Sequence, residues 1–168
     1  MIRGDGEDDR RVPEREALDE TDLRIIEELN QDGRRAFTEM ARNLELSEAT
    51  VRNRYQRMVR RGVIQVVAVS DALALGLVFA EIGLRVTGGG VRRAIEALEK
   101  VPEVDYIAVC TGSFDLLIEV VCSDNDHMLQ VLEDHVRTAP GVDHIETFTI
   151  LNVAKHSYRW TRLLGVEQ

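Results

Sequence analysis

From about position 18 onwards, apolar residues recur at helical spacing and predict a first helix. Asp19 is a residue type that favours the N-cap position, and Leu18 and Leu23 stand where a hydrophobic staple requires apolar side chains. Leu23, Ile26 and Leu29 then form one apolar stripe. The predicted helix therefore packs one side against a core.

Two more helices and an extended segment follow at once. Thr38 is predicted to cap a short second helix, and Ser47 is predicted to cap a third helix that ends at Gly62. The strand-like run Val63–Val69 comes next. Three short helices with a tight link between the second and third, followed by a β segment, are the order of a winged helix-turn-helix.

One side of the third helix does not have to pack against the core. At about 100° per residue, Val51, Tyr55 and Met58 fall within one sector and are predicted to face inwards. Thr50 lies on the flank of the opposite side, which carries Ala49, Asn53, Gln56, Arg57 and Arg60. This outer side is free to contact a partner.

The second half of the chain reads as strand, helix, strand, strand, helix, strand. The predicted elements are 77–86, 91–100, 104–110, 114–122, 127–138 and 142–153. The segment Pro102–Ile107 recurs 38 residues later as Pro140–Ile145. Two copies of a βαβ unit predict an α+β ferredoxin-like sandwich, with four antiparallel strands and two helices on one face. Apolar residues occupy both sides of the strands at 104–110 and 114–122, so we expect another subunit to bury the second face.

These patterns predict the organisation of the whole chain. Residues 1–17 are charged and poor in large apolar side chains, which is typical of a disordered tail, here an acidic one. The expected order is this tail, a winged helix-turn-helix DNA-binding domain at 18–68, a hinge at 69–76, a ferredoxin-like oligomerisation domain at 77–155 and a C-terminal tail at 156–168. No apolar run approaches the roughly 20 residues that span a bilayer, and no signal-peptide core is present. We therefore expect a cytoplasmic protein that does not bind membranes.

The charge distribution indicates a nucleic-acid partner. The net charge of −9, from 21 basic and 30 acidic residues, argues against one at first. Residues 34–62, however, hold eight arginines and three acids, a local +5 that leaves −14 to the rest. A basic island on an acidic chain is typical of a protein with a local anionic partner, which here is double-stranded DNA.

The third helix offers the chemistry to read bases. Arginine can bind guanine, Asn53 or Gln56 can pair with adenine, and Thr50 can contact a thymine methyl; which of these occurs stays open. Peripheral arginines suit the phosphate backbone. The predicted DNA-binding residues are Arg34, Arg35, Ser47, Thr50, Arg52, Asn53, Arg54, Gln56, Arg57, Arg60 and Arg61.

The sequence gives little sign of metal or cofactor chemistry. Cys110 and Cys122 lie in apolar β-like runs without C-x-x-C spacing, so we expect reduced, buried thiols. The four histidines lack metal-ligand spacing, and we expect no metal and no cofactor. By its chemistry alone, the loop from Thr111 to Asp115 is a turn.

Three sets of residues resemble the leucine-responsive regulatory protein/AsnC family of prokaryotic transcription regulators, over most of the chain and in order. They are Leu18-Asp19-x-x-Asp22-x-x-Ile25-Ile26; Leu46-Ser47-x-x-x-Val51-x-x-Arg54 with Gly62-Val63-Ile64; and Thr111-Gly112-x-Phe114-Asp115 with Pro140-Gly141-Val142 and Thr147–Leu151. The resemblance implies an effector-binding second domain: homodimers built through it, often assembled further into octamers, and a small-molecule effector, expected to be an amino acid, bound between dimers. It implies an effector site formed by Thr111, Gly112, Ser113, Phe114 and Asp115, with Thr147 and Thr149 as candidates on the partner side. Ser113 stands where the family commonly has an acid.

Two alternative functions have to be weighed against that of a transcriptional regulator. Siroheme decarboxylases resemble the same two-domain fold, but they carry an arginine-rich stretch after the helix-turn-helix and functional histidines, whereas that stretch here, Gln65–Val69, has no basic residue or histidine. A metabolite-binding module with vestigial DNA binding conflicts with the arginine island. We therefore expect a regulator and not an enzyme.

Overall fold

The chain folds into two compact units. The computed structural model describes residues 18–157 and 160–161, so the predicted tail at 1–17 and most of the residues after 157 lie outside the described residues. Of the described residues, 18–68, 157 and 160–161 belong to the first unit, and 69–156 belong to the second. Each unit has its own buried apolar cluster.

The first unit contains the three predicted helices. They are α1 (Glu20–Gln31), α2 (Phe37–Leu44) and α3 (Glu48–Arg60). The side chain of Asp19 accepts a hydrogen bond from the Asp22 N–H in a capping box, and Ser47 accepts one from the Thr50 N–H, which confirms both predicted caps. Gly62 has a φ of 66°, and the following N–H bonds to the Met58 carbonyl, so α3 ends where predicted.

Three local predictions for this unit are wrong. Of the predicted stripe in α1, Ile26 and Leu29 pack against the core as predicted, but Leu23 does not; the fully buried residue is Ile25, which follows the buried Asp22 on the same side of the helix, and an apolar pattern misses this polar residue. Thr38 does not cap α2; the helix starts at Phe37, whose ring packs against Tyr55. The run 63–69 forms no strand, because no strand of the described residues lies beside it to complete a ladder.

The second unit has the predicted βαββαβ order. Its elements are β1 (Val78–Val86), α4 (Val91–Leu98), β2 (Val104–Val109), β3 (Leu116–Cys122), α5 (Asn125–Val131) and β4 (Val142–Thr149). A π-helical turn, Leu132–Val136, extends α5, which Asp124 caps at its N-terminus. The strands are antiparallel in the order β2-β3-β1-β4. This confirms the ferredoxin-like fold.

The two faces of the sheet differ. Ile82 and Ile118 face the core with the apolar residues of α4 and α5. The other face, which we call the open face, carries Phe79, Glu81, Gly83 and Arg85 of β1, Tyr106 and Ala108 of β2, Leu117, Glu119 and Val121 of β3, and His144, Glu146 and Phe148 of β4. The expected second apolar surface is therefore present but interrupted by acids.

Candidate DNA-binding helix and effector loop

The outer side of α3 is exposed as predicted. Asn53, Gln56 and Arg60 are all exposed, whereas Val51 and Met58 are fully buried on the opposite side. Within the part of the chain that the structure describes, the side chains of Asn53 and Gln56 have no hydrogen-bond partner. Their amide groups are therefore available to another molecule.

Arg54 and Arg57 of α3 are turned towards α1. Arg54 donates to Asp22 Oδ1 at 2.9 Å and to Asp19 Oδ2 at 2.6 Å, and Arg57 donates to Asp22 Oδ2 at 2.6 Å. Asp22 is only 1% exposed. The hydrogen bond from Arg54 holds the pKa of Asp19 below its ordinary value of 3.8. Helical periodicity predicted that Arg57 lies on the outer side of α3, but its guanidinium points towards α1 and bonds to Asp22.

Two further arginines are also paired inside the first unit. Arg52 forms an ion pair with Glu48, and its guanidinium lies 5.0 Å from the centre of the Phe37 ring. Arg35 donates to Glu28 at 2.7 Å. These contacts stabilise α3 and link α1 to the turn before α2.

The free positive charge of the island is thus smaller than its composition suggests. Asp19, Asp22 and Glu28, which lie outside residues 34–62, neutralise Arg54, Arg57 and Arg35. Arg34, Arg42 and Arg60 have no ion-pair partner among the described residues. Ser47 and Thr50, both predicted DNA contacts, bond to each other through their hydroxyls at 2.8 Å. Arg61 occupies the C-cap of α3.

The loop between β2 and β3 is anchored to β1. Asp115 donates its N–H to the Leu84 carbonyl at 2.9 Å, and its Oδ2 accepts the Val86 N–H at 2.8 Å. Gly112 has a φ of 125°, which only glycine adopts readily. Arg85 reaches the loop and donates to the Ser113 carbonyl at 3.2 Å. The loop therefore keeps a defined shape, and Oδ1 of Asp115 has no partner within the described residues.

The predicted effector residues fall into two groups. Thr111, Gly112 and Ser113 are exposed, and Phe114 and Asp115 are half-buried beside the end of β1. Thr147 and Thr149 lie on the edge strand β4, opposite Ile82 and Ala80. Asp115 attaches the loop to β1 at Leu84 and Val86. The two threonines lie on the other side of β1 from the loop and nearer to the start of that strand. One chain does not bring the two groups together.

Other sites do not emerge from the described residues. They contain no group of three or more histidine, cysteine, aspartate or glutamate residues that could hold a metal ion. Both cysteines are free; Cys122 is buried as predicted, and Cys110 is only half-buried. In the described ranges, no helix has the length and apolar character to cross a membrane.

Comparisons with known proteins decide the family. The AsnC-type helix-turn-helix domain matches residues 18–59, and the Lrp/AsnC ligand binding domain matches residues 78–160. The chain belongs to the Lrp/AsnC family. The first unit of this Lrp/AsnC protein therefore carries the DNA-binding helix-turn-helix of a transcriptional regulator, and the second is the family's ligand-binding domain.

Individual relatives agree with this assignment. An uncharacterised HTH-type transcriptional regulator from Pyrococcus abyssi is 32% identical over 143 residues, covering 84% of this chain and 90% of its own. The structure of AsnC from E. coli is 26% identical, with a TM-score of 0.73, and covers 83% of this chain and 96% of its own. A Neisseria meningitidis regulator, solved with L-methionine, has the same fold with a TM-score of 0.75 and 22% identity, covering 88% of this chain and 99% of its own.

Proposed function

We propose that this Lrp/AsnC regulator reads specific DNA sequences with the outer side of α3. The observation that carries the proposal is the pair of exposed amide side chains, Asn53 and Gln56, which have no hydrogen-bond partner in the described part of the chain. Such amides can make two hydrogen bonds to an adenine edge in the major groove. Arg60 of α3, with Arg34 and Arg42 of the same unit, has no ion-pair partner in the described part of the chain, and such free charge suits phosphates.

We further propose that the effector is an amino acid bound at the loop from Thr111 to Asp115. The free Oδ1 of Asp115 suits an ammonium group, and the exposed backbone around Gly112 suits a carboxylate. Ser113 adds no negative charge to the rim, which favours an effector with a neutral or acidic side chain. The L-methionine complex of the Neisseria meningitidis protein supports this ligand class.

The protein is proposed to form homodimers through the open face, and these homodimers are proposed to assemble further into octamers. Tyr106 is 52% exposed and Phe148 is 43% exposed on this face of the single chain. Exposed aromatic side chains on a sheet of this kind favour burial against another subunit. Thr147 and Thr149 are proposed to complete the effector site from another subunit, since one chain holds them apart from the loop.

A selection experiment tests the proposed function. The full-length protein is incubated with a library of random-sequence DNA duplexes, and the bound fraction is amplified and sequenced over several rounds. We expect a defined sequence to be enriched and to bind more tightly than a shuffled duplex of equal composition. The twenty amino acids are then screened for thermal stabilisation of the protein and for a change in affinity for the selected duplex. Absence of any enriched sequence would refute the proposal.

A further inference from the structure

Asp22 joins two helices through both of its carboxylate oxygens. Oδ1 accepts from Arg54 at 2.9 Å, and Oδ2 accepts from Arg57 at 2.6 Å. The two arginines lie three residues apart on α3, so they are neighbours on the helix surface. Asp22 itself is 1% exposed, whereas the side chains of Arg54 and Arg57 are 27% and 45% exposed.

This arrangement fixes α3 against α1. Two separate charge-assisted hydrogen bonds to one carboxylate restrict both sliding and rotation of the helix that carries the two donors. Arg54 also bonds to Asp19 at 2.6 Å, and Asp19 and Asp22 form the capping box of α1. The start of the first helix and the middle of α3 are thus parts of one polar network.

We propose that Asp22 is a positioning residue for DNA recognition, and that Arg54 and Arg57 act through it and not by contacting bases or phosphates. The inference rests on the proposed function, because it concerns how the helix that reads DNA is held. Bases are read by hydrogen bonds of fixed length and direction, so a small rotation of α3 weakens several of them together. Asp22 keeps Asn53 and Gln56 in the orientation that reading requires.

The salt dependence of binding separates this role from a phosphate contact. A cation that neutralises a phosphate releases counterions from DNA, so its removal lowers the slope of log affinity against log salt by roughly one. Arg57 is already neutralised by Asp22. Arg60 lies one turn further along α3 and has no ion-pair partner among the described residues, which makes it the matched comparison.

The experiment uses full-length protein and the duplex obtained by selection. Affinities for this duplex and for its shuffled counterpart are measured at several salt concentrations for Arg57→Gln, Arg60→Gln, Asp22→Asn and the double variant Asp22→Asn/Arg57→Gln. We expect Arg60→Gln to lower the salt slope by roughly one on both duplexes. We expect Arg57→Gln to keep the wild-type slope and to weaken binding to the selected duplex by roughly tenfold, the order of one lost base contact.

Two further readouts test that Arg57 acts through Asp22. The double variant is expected to bind the selected duplex no more weakly than Asp22→Asn alone, because Asp22→Asn already removes the carboxylate to which Arg57 bonds. When each base pair of the duplex is replaced in turn, Arg57→Gln should lose discrimination evenly over the positions read by α3, whereas a base-reading residue loses it at one position. Circular dichroism and thermal unfolding identify variants that do not fold. Should Asp22→Asn be among them, the salt slope and the base-pair scan of Arg57→Gln decide the question.

The possible failures are distinguishable. A wild-type protein that selects no sequence removes the proposed function itself. A wild type that selects a sequence, with Arg57→Gln lowering the salt slope as Arg60→Gln does or losing discrimination at a single base pair, overturns the positioning role of Asp22 and leaves the proposed function intact.

Discussion

The ring of Phe114 lies directly against the backbone of Gly83. A Cβ atom at position 83 would be 2.6 to 2.7 Å from three ring carbons, a distance at which atoms overlap. Gly83 is buried in the middle of β1, and Phe114 belongs to the proposed effector loop. The glycine is therefore required for the position of the loop and not for a turn of the backbone.

Replacing this glycine should displace the loop. Gly83→Ala is expected to lower the free energy of unfolding by about 1 to 3 kcal/mol, because the added methyl group overpacks the contact with Phe114. Urea denaturation of the full chain measures the change. Phe114→Ala is the matched control, since combining it with Gly83→Ala removes the clash, and the double variant should lose less stability than the sum of the two single variants. Unchanged stability of Gly83→Ala would show that the ring moves aside freely.

Asp115 has a structural role besides its proposed effector role, and two substitutions separate them. Asp115→Ala should cost about 1 to 2 kcal/mol of stability, because the Val86 N–H loses its acceptor. Asp115→Asn keeps an oxygen at that position and should be nearly as stable as the wild type. Both variants should lose the response to the amino acid found in the screen, measured by thermal stabilisation, while binding to DNA without effector changes little. If Asp115→Asn responds to the amino acid as the wild type does, the loop is only a turn and has no role in effector binding.

The proposed dimer depends on the open face. Tyr106 lies opposite Glu119 in the sheet register, so Tyr106→Glu adds a second carboxylate to an acidic patch and removes an aromatic contact. We expect this variant to sediment as a smaller species than the wild type at micromolar concentration. Leu129→Glu is the control, because Leu129 is similarly exposed, at 57%, but lies on helix α5 and not on the sheet. If the wild type, Tyr106→Glu and Leu129→Glu sediment equally, the open face is not the dimer interface.

Glu119 predicts a pH dependence. Burial, followed by the charges of Asp105 and Glu81, raises the pKa of Glu119 above its ordinary value of 4.5, while His156 opposes the shift. The folded state therefore binds the proton more tightly than the unfolded state, and this contribution to stability falls as the pH rises above 4.5. Glu119→Gln should consequently stabilise the protein against urea at pH 7 and give little change at pH 4. Glu96→Gln, an exposed change on α4, should have little effect at either pH. A destabilised Glu119→Gln at pH 7 would contradict this account.

Local signals in the sequence predicted much of the fold. The caps at Asp19 and Ser47 act within three residues, and the repeat of Pro102–Ile107 at Pro140–Ile145 reflects the two βαβ units. The strand over 63–69 was predicted wrongly, because a strand-like sequence forms a strand only beside a partner. The core stripe of α1 was predicted correctly for Ile26 and Leu29 but not for Leu23, because the buried side of the helix also includes the polar Asp22.

The candidate site was less predictable. Asp22 binds arginines 32 and 35 residues away, and helical periodicity contains no information on such contacts. One signal was available: Asp22 stands three residues before Ile25, on the same side of the helix. A buried acid is usually paired with a cation, and the third helix has two arginines three residues apart, Arg54 and Arg57, that can supply one. The contact of Phe114 with Gly83 likewise depends on the register of non-adjacent segments.

The affinity of Asn53→Ala for selected and shuffled DNA tests the central claim most directly, namely that the outer side of α3 reads bases. Asn53 is exposed and has no partner in the described part of the chain, so its removal should leave the fold unchanged. We predict a loss of about 1 to 3 kcal/mol on the selected duplex, no loss on the shuffled duplex and relaxed discrimination at one base pair. An equal loss on both duplexes, or no loss on either, would contradict the claim.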